Sequence, residues 1–186
     1  MSIIIISGPS GSGQDSVIKG IERKIKLEKV ITTTTRAMRP GESQKNPYYF
    51  ISKDKFKKGI KNNDFFEYAC EYNNNYYGVT HKEINRAKKN KKINIWKIEY
   101  KGVITAKKLM PETKAILITA PIKILEKRIR KRDKNKGEKY IKERIEYSKK
   151  FLKYKNIYDY KVINKERKLQ ETINKTADII KSLTNS

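Results

Sequence analysis

Four consecutive isoleucines, Ile3 to Ile6, run through Ser7 straight into Gly8-Pro9-Ser10-Gly11-Ser12-Gly13, and apolar residues then recur at helical spacing through Val17, Ile18, Ile21 and Ile25. A β-branched run with no polar alternation reads as a strand buried on both faces, the pattern of a parallel sheet covered by helices. Strand, glycine loop and helix in that order bring backbone N–H groups together at a helix N-terminus, which carries about half a positive charge and suits an anion. A glycine turn in this context also serves purely structural ends. The usual phosphate loop continues with Lys and then Ser or Thr; this chain continues with Gln14, Asp15 and Ser16.

Beyond the loop, the Thr-rich stretch 30–35 reads as a second strand, closed by the turn-forming Arg39-Pro40-Gly41-Glu42. The segment 34–92 is rich in Tyr, Phe, Asn and Lys, with short strand signals around Tyr48-Tyr49-Phe50-Ile51 and Phe65-Phe66-Glu67-Tyr68, and reads as an inserted subdomain. Regular alternation then resumes: strand 93–100, helix 102–109, strand 115–119, helix 121–132, a polar break, helix 140–152, strand 160–164 and a closing amphipathic helix 169–183. Strands separated by helices imply a parallel sheet with right-handed crossovers.

Composition narrows the function classes. With 186 residues the chain has the size of one domain able to bury a full core. Its 45 Lys and Arg against 20 Asp and Glu give a net charge of +25. The excess is mostly lysine spread along the chain and accompanied by Ile, Asn and Tyr, so it reads as solvated surface, and no specific nucleic acid is expected. One cysteine, Cys70, and one histidine, His81, exclude an internal disulfide and a Cys/His metal cage. No stretch is long and apolar enough for a membrane span, and the N-terminus lacks a signal-peptide pattern, so a cytoplasmic protein is expected.

Further motifs point to a family. Thr32-Thr33-Thr34-Thr35-Arg36-Ala37-Met38-Arg39-Pro40-Gly41-Glu42, then Tyr48-Tyr49-Phe50, Phe65-Phe66-Glu67-Tyr68-Ala69 and Asn75-Tyr76-Tyr77-Gly78 resemble, in order, the GMP-binding region of guanylate kinases. Ile98-Glu99-Tyr100-Lys101-Gly102 resembles the family's Asp-bearing strand end, Arg128-Ile129-Arg130-Lys131-Arg132 with Arg144 its lid, and residues 158–164 its last strand. The resemblance covers nearly the whole chain. It implies a three-layer α/β P-loop kinase fold with a parallel core sheet (1–33, 93–127 and 158–186), a GMP-binding insertion (34–92) and a helical lid (128–157). The implied reaction is phosphorylation of GMP to GDP by ATP with Mg2+.

The resemblance also implies roles. Glu67, Thr32 and Glu99 fall on the guanine side, with Glu99 standing for the family's usual Asp. Arg36, Arg39, Tyr48 and Tyr77 fall on the GMP phosphate, where guanidinium forks and phenol hydroxyls donate to phosphate oxygens; Thr80 joins the GMP set. Residues Gly8, Pro9, Ser10, Gly11, Ser12, Gly13, Gln14, Asp15 and Ser16 line the ATP phosphates, and Asn164 the adenine side. Arg128, Arg132 and Arg144 are the lid cations for the transferring phosphoryl group, and with Gln14 they make up the catalytic set. Asp15 and Ser16 are the candidates for metal ligation, with no direct ligand assigned.

Two departures bear on activity. Gln14 is neutral where the loop lysine stands in the family, and Lys97 occupies the first Asp position of its Asp-x-Asp strand. Binding should then survive better than catalysis, and Gln14→Lys should accelerate transfer, unless another cation has taken the lysine's place. A catalytically silent binding module that uses the GMP cleft is the alternative reading.

Overall fold

The computed structural model describes residues 3–70, 74–90 and 92–184. In chain order the elements are β1 (Ile3–Ser7), α1 (Gln14–Glu22), β2 (Leu27–Val30), β3 (Thr33–Thr34), β4 (Ser43–Gln44), β5 (Pro47–Phe50), α2 (Lys53–Lys61), β6 (Phe65–Cys70), β7 (Tyr76–Thr80), α3 (His81–Lys89), β8 (Ile93–Lys97), α4 (Tyr100–Leu109), β9 (Lys114–Thr119), α5 (Ile122–Arg132), α6 (Glu138–Lys153), a 3₁₀ turn (Lys155–Ile157), β10 (Tyr160–Ile163) and α7 (Leu169–Thr184).

The isoleucine run is the centre of the molecule. β1 is the middle strand of a sheet ordered β10-β9-β1-β8-β2, and every pairing in it is parallel. Pleating sends Ile4 and Ile6 to one face, where they pack on Val17, Ile18 and Ile21 of α1 and on Ile173, Ala177 and Ile180 of α7. Ile3 and Ile5 face the other layer, with Ile84 and Ala87 of α3, Trp96, and Val103 and Ala106 of α4. Helices on both faces of a parallel sheet give the three-layer α/β fold, and each isoleucine buried in it contributes about 1.5–3 kcal/mol.

A second sheet, ordered β4-β5-β3-β7-β6, is built from the segment between β2 and α3. Here the structure corrects the sequence reading. The stretch 30–35 is two strands in two sheets: β2 ends the core sheet at Val30, and β3 pairs with β5 and β7 in the second. Two helices inside the insertion, α2 and α3, were not expected, and α3 packs into the core cluster beside Trp96. The strand expected over 93–100 stops at Lys97, and α4 starts at Tyr100. Helix α5 continues unbroken across the expected core–lid boundary at 127/128.

Candidate active site

The carboxyl ends of β1, β8 and β10 deliver the glycine loop, Lys97 and Asn164 to one rim of the sheet, where open α/β sheets bind ligands. The loop turns back on itself through Ser12 N–H donating to Pro9 O at 3.0 Å, and α1 opens from Gly13 at φ 82°. Asn164, buried, donates from Nδ2 to Ser12 O at 2.8 Å and accepts at Oδ1 from Thr172 Oγ1 at 3.2 Å. The first of these bonds occupies a loop carbonyl, the group that would repel a phosphate. Asn164 therefore shapes the loop from behind. Gln14 begins α1 with its Oε1 buried and without a hydrogen-bond partner.

Two of the three expected lid arginines meet on the loop. Arg132 Nη2 donates to Ser10 Oγ at 2.9 Å, and Arg144 donates to the same oxygen from Nη2 at 2.9 Å and Nε at 3.3 Å. Asp133 lies between them, accepting from Arg132 Nε at 3.0 Å and Nη2 at 2.7 Å, with Arg144 Nε 3.6 Å away. Those bonds, Arg132's first, hold the Asp133 carboxyl below its ordinary range, as do the charges of Arg144 and Arg39. Arg39 is exposed on the insertion.

Arg128 does not join them. Its Nη1 donates to Gly11 O at 3.2 Å, and its Nη2 to Asn164 O at 3.1 Å and Lys165 O at 3.4 Å. Three carbonyls hold its fork against the loop and the end of β10. The spacing of four puts Arg128 and Arg132 on one face of α5, with Arg128 one turn nearer the sheet.

Across the rim, Arg36 lies 5.4 Å from the ring centroids of both Tyr48 and Phe50, and the Tyr48 and Tyr77 rings meet edge to face at 6.0 Å. Glu42 grips the Arg36 fork with both oxygens, at 2.9 Å and 2.8 Å. Burial, the largest single influence, would lower the Arg36 pKa, but the bonds and charge of Glu42 together with Tyr77 and Tyr48 outweigh it, and the net direction is upward. Burial raises the Tyr77 phenol, so it stays protonated and able to donate. Glu67 is buried on β6 beside a register irregularity, where Phe65 opposes Thr80 and Glu67 opposes Val79. A Cβ at Gly102 would sit 3.1 Å from Glu67 Oε2, so the small residue at the start of α4 makes room for the carboxylate. Thr32 is buried, its carbonyl accepting from Tyr49 N–H at 3.0 Å, and Glu99 is half-buried at the N-terminus of α4. Thr80 Oγ1 caps α3 by accepting from Glu83 N–H at 3.2 Å, which leaves its own O–H free to donate.

The chain matches the guanylate kinase family model over residues 1–183. It belongs to the guanylate kinase family. It is 34% identical to a guanylate kinase of Fusobacterium nucleatum over 183 residues, covering 97% of this chain and 96% of that one. A guanylate kinase of Buchnera aphidicola is 36% identical over 182 residues, covering 96% and 86%. Among solved structures, the crystal structure of guanylate kinase from Anaplasma phagocytophilum superposes with a TM-score of 0.76 at 21% identity, covering all of this chain and 87% of that one, and so shares the fold.

For a guanylate kinase, two departures from the usual pattern, Asp15 and Lys97, coincide in space. Lys97 Nζ lies 2.8 Å from Asp15 Oδ1 and 5.6 Å from the Tyr48 ring centroid. Burial alone would lower its pKa, but Tyr48 and Asp15 raise it, so the ammonium is held charged. Of the two candidates for metal ligation, Asp15 pairs with Lys97 and Ser16 is exposed on α1. Among the described residues no group of three or more His, Cys, Asp or Glu side chains could hold a metal ion. Sequence reasoning gave no site role to Glu42, Asp133 or Lys97. Glu42 returns to Arg36 because the turn 39–42 closes through Glu42 N–H to Arg39 O at 3.0 Å, a signal present in Pro40-Gly41. Asp133 was legible only as the residue ending an arginine-rich helix. No helix among the described residues is long and apolar enough to cross a membrane.

Proposed function

We propose that the chain transfers the terminal phosphoryl group of ATP, taken as its magnesium complex, to GMP, giving ADP and GDP. The observation that carries this reading is the convergence of Arg132 and Arg144 on Ser10 of the glycine loop, opposite Arg36, Tyr48 and Tyr77. Phosphoryl transfer asks little covalent work of a protein, so position and charge decide the rate. The loop and α1 hold the donor phosphates, with Asn164 and Arg128 fixing loop carbonyls behind them. Arg36, Arg39, Tyr48 and Tyr77 hold the acceptor phosphate, and Arg132 and Arg144 neutralise charge on the group in flight. Glu42 presets the Arg36 fork and shares it with the incoming phosphate. The working division is a core of 1–33, 93–127 and 158–186, an acceptor insertion of 34–92 and a lid of 128–157, acting in the cytoplasm with no specific nucleic acid bound.

Glu67 sets the base. Its carboxylate accepts from the guanine N1–H and N2 amino donors, with Thr32 and Glu99 beside it, whereas adenine presents an acceptor at N1 and would leave a buried charge unpaired. Calorimetry should show GMP binding at least about tenfold tighter than AMP, and Glu67→Gln should weaken GMP by about 1–3 kcal/mol, the usual loss for a hydrogen bond to a charged group. Equal affinity for GMP and AMP would contradict this reading.

A further inference from the structure

The loop's missing cation has a candidate replacement on the neighbouring strand. Lys97 is the last residue of β8, and the parallel register Ile6↔Lys97 sets it beside the end of β1, where the glycine loop begins. Its Nζ lies between the first turn of α1, through Asp15 at 2.8 Å, and the acceptor-side ring of Tyr48, 5.6 Å from the centroid. That is the ground between donor and acceptor phosphates. The other cations at the rim are differently placed: Arg128 is tied to three carbonyls, and Arg132 and Arg144 reach the loop from the helices that flank the polar break.

We propose that Lys97 supplies, from the rigid end of β8, the fixed positive charge that Gln14 cannot bring to the phosphoryl group, with Asp15 aiming its ammonium. This rests on the kinase reading above. An ammonium offers three donors, of which Asp15 uses one and the Tyr48 side chain engages a second, so one remains for a phosphate oxygen. The partner carboxylate is 69% exposed while the lysine side chain is 28% exposed, so the contact on the Asp15 side is open to solvent and yields readily to a phosphate. The three departures also keep the charge balance of the pattern they replace: lysine, hydroxyl and carboxylate become amide, carboxylate and lysine at positions 14, 15 and 97.

The test is a double-mutant cycle in ATP:GMP phosphotransfer. Lys97→Met should lower kcat at least about 100-fold, with KM for GMP moving less than about threefold, and Lys97→Arg should retain most of the rate. Gln14→Lys should then recover at least about tenfold in the Lys97→Met background, and several-fold less in the wild type, where a second ammonium would crowd Lys97. Circular dichroism checks the fold, and if Lys97→Met does not fold, Lys97→Gln carries the same comparison. A kcat within about threefold of wild type for the Lys97 variant, or the same gain from Gln14→Lys in both backgrounds, would overturn the proposal. A wild type that forms no GDP would instead contradict the kinase reading itself.

Discussion

Arg132→Ala and Arg144→Ala should each lower kcat for GDP formation by about 100- to 1,000-fold, while changing nucleotide affinity by less than about tenfold. Both guanidinium groups already sit at the loop: each places an Nη2 2.9 Å from Ser10 Oγ, although one comes from the end of α5 and the other from α6. Asp133, bonded twice to Arg132, holds that pair in a shared geometry. Preorganised charge of this kind acts most strongly where charge redistributes, so its loss falls on the transition state more than on the ground state. Because both side chains address one point, the double variant should lose less than the product of the two factors. Steady-state rates with GMP varied, and calorimetry with a non-hydrolysable ATP analogue, separate the two effects. Rates equal to wild type would reduce both arginines to a latch on the loop.

Gly13→Ala should damage both the fold and the loop. The backbone there has φ +82°, and a Cβ would stand 2.5 Å from Asn164 Nδ2. Left-handed backbone costs an alanine about 1–2 kcal/mol, and overpacking adds about 1–3 kcal/mol. The obstructing amide cannot step aside cheaply, since it is buried and bonded to Ser12 O, with its oxygen bonded to Thr172. Urea unfolding should therefore show a loss of about 2–5 kcal/mol, and ATP analogue binding should fall with it. Gly41 is the control: φ is +80° but nothing lies within 4 Å of its Cβ position, so Gly41→Ala should show the backbone cost alone. Equal losses at the two positions would mean that Asn164 does not constrain the loop.

Much of the core was legible because it depends on short-range pattern. The isoleucine run, the glycine loop and the helical recurrence of Val17, Ile18 and Ile21 are local, and they became β1, its loop and α1. The stretch 30–35 was read as one strand because β-branched residues continue through it; which sheet a strand joins is a tertiary matter that propensity does not encode. Helices α2 and α3 were hidden by composition, since nine residues with two or three buried positions show little periodicity. Their caps were visible all the same: Ser52 accepts from Lys55 N–H, and Thr80 with Glu83 has the spacing of a capping box. At the site, the structure brings Arg132 and Arg144 together on Ser10, whereas the carbonyls around Arg128 could not be read from the helix spacing. Lys97 and Asp15 are 82 residues apart, and their pairing needed the parallel register of β1 and β8.

The most direct measurement is phosphorus NMR of the wild-type protein with magnesium, ATP and GMP, following every phosphorylated species in one tube. The account predicts that ADP and GDP appear together in equal amounts, and that AMP in place of GMP gives no comparable turnover. GMP that binds but yields no GDP would contradict it, and would leave the chain a binding module built on a kinase fold.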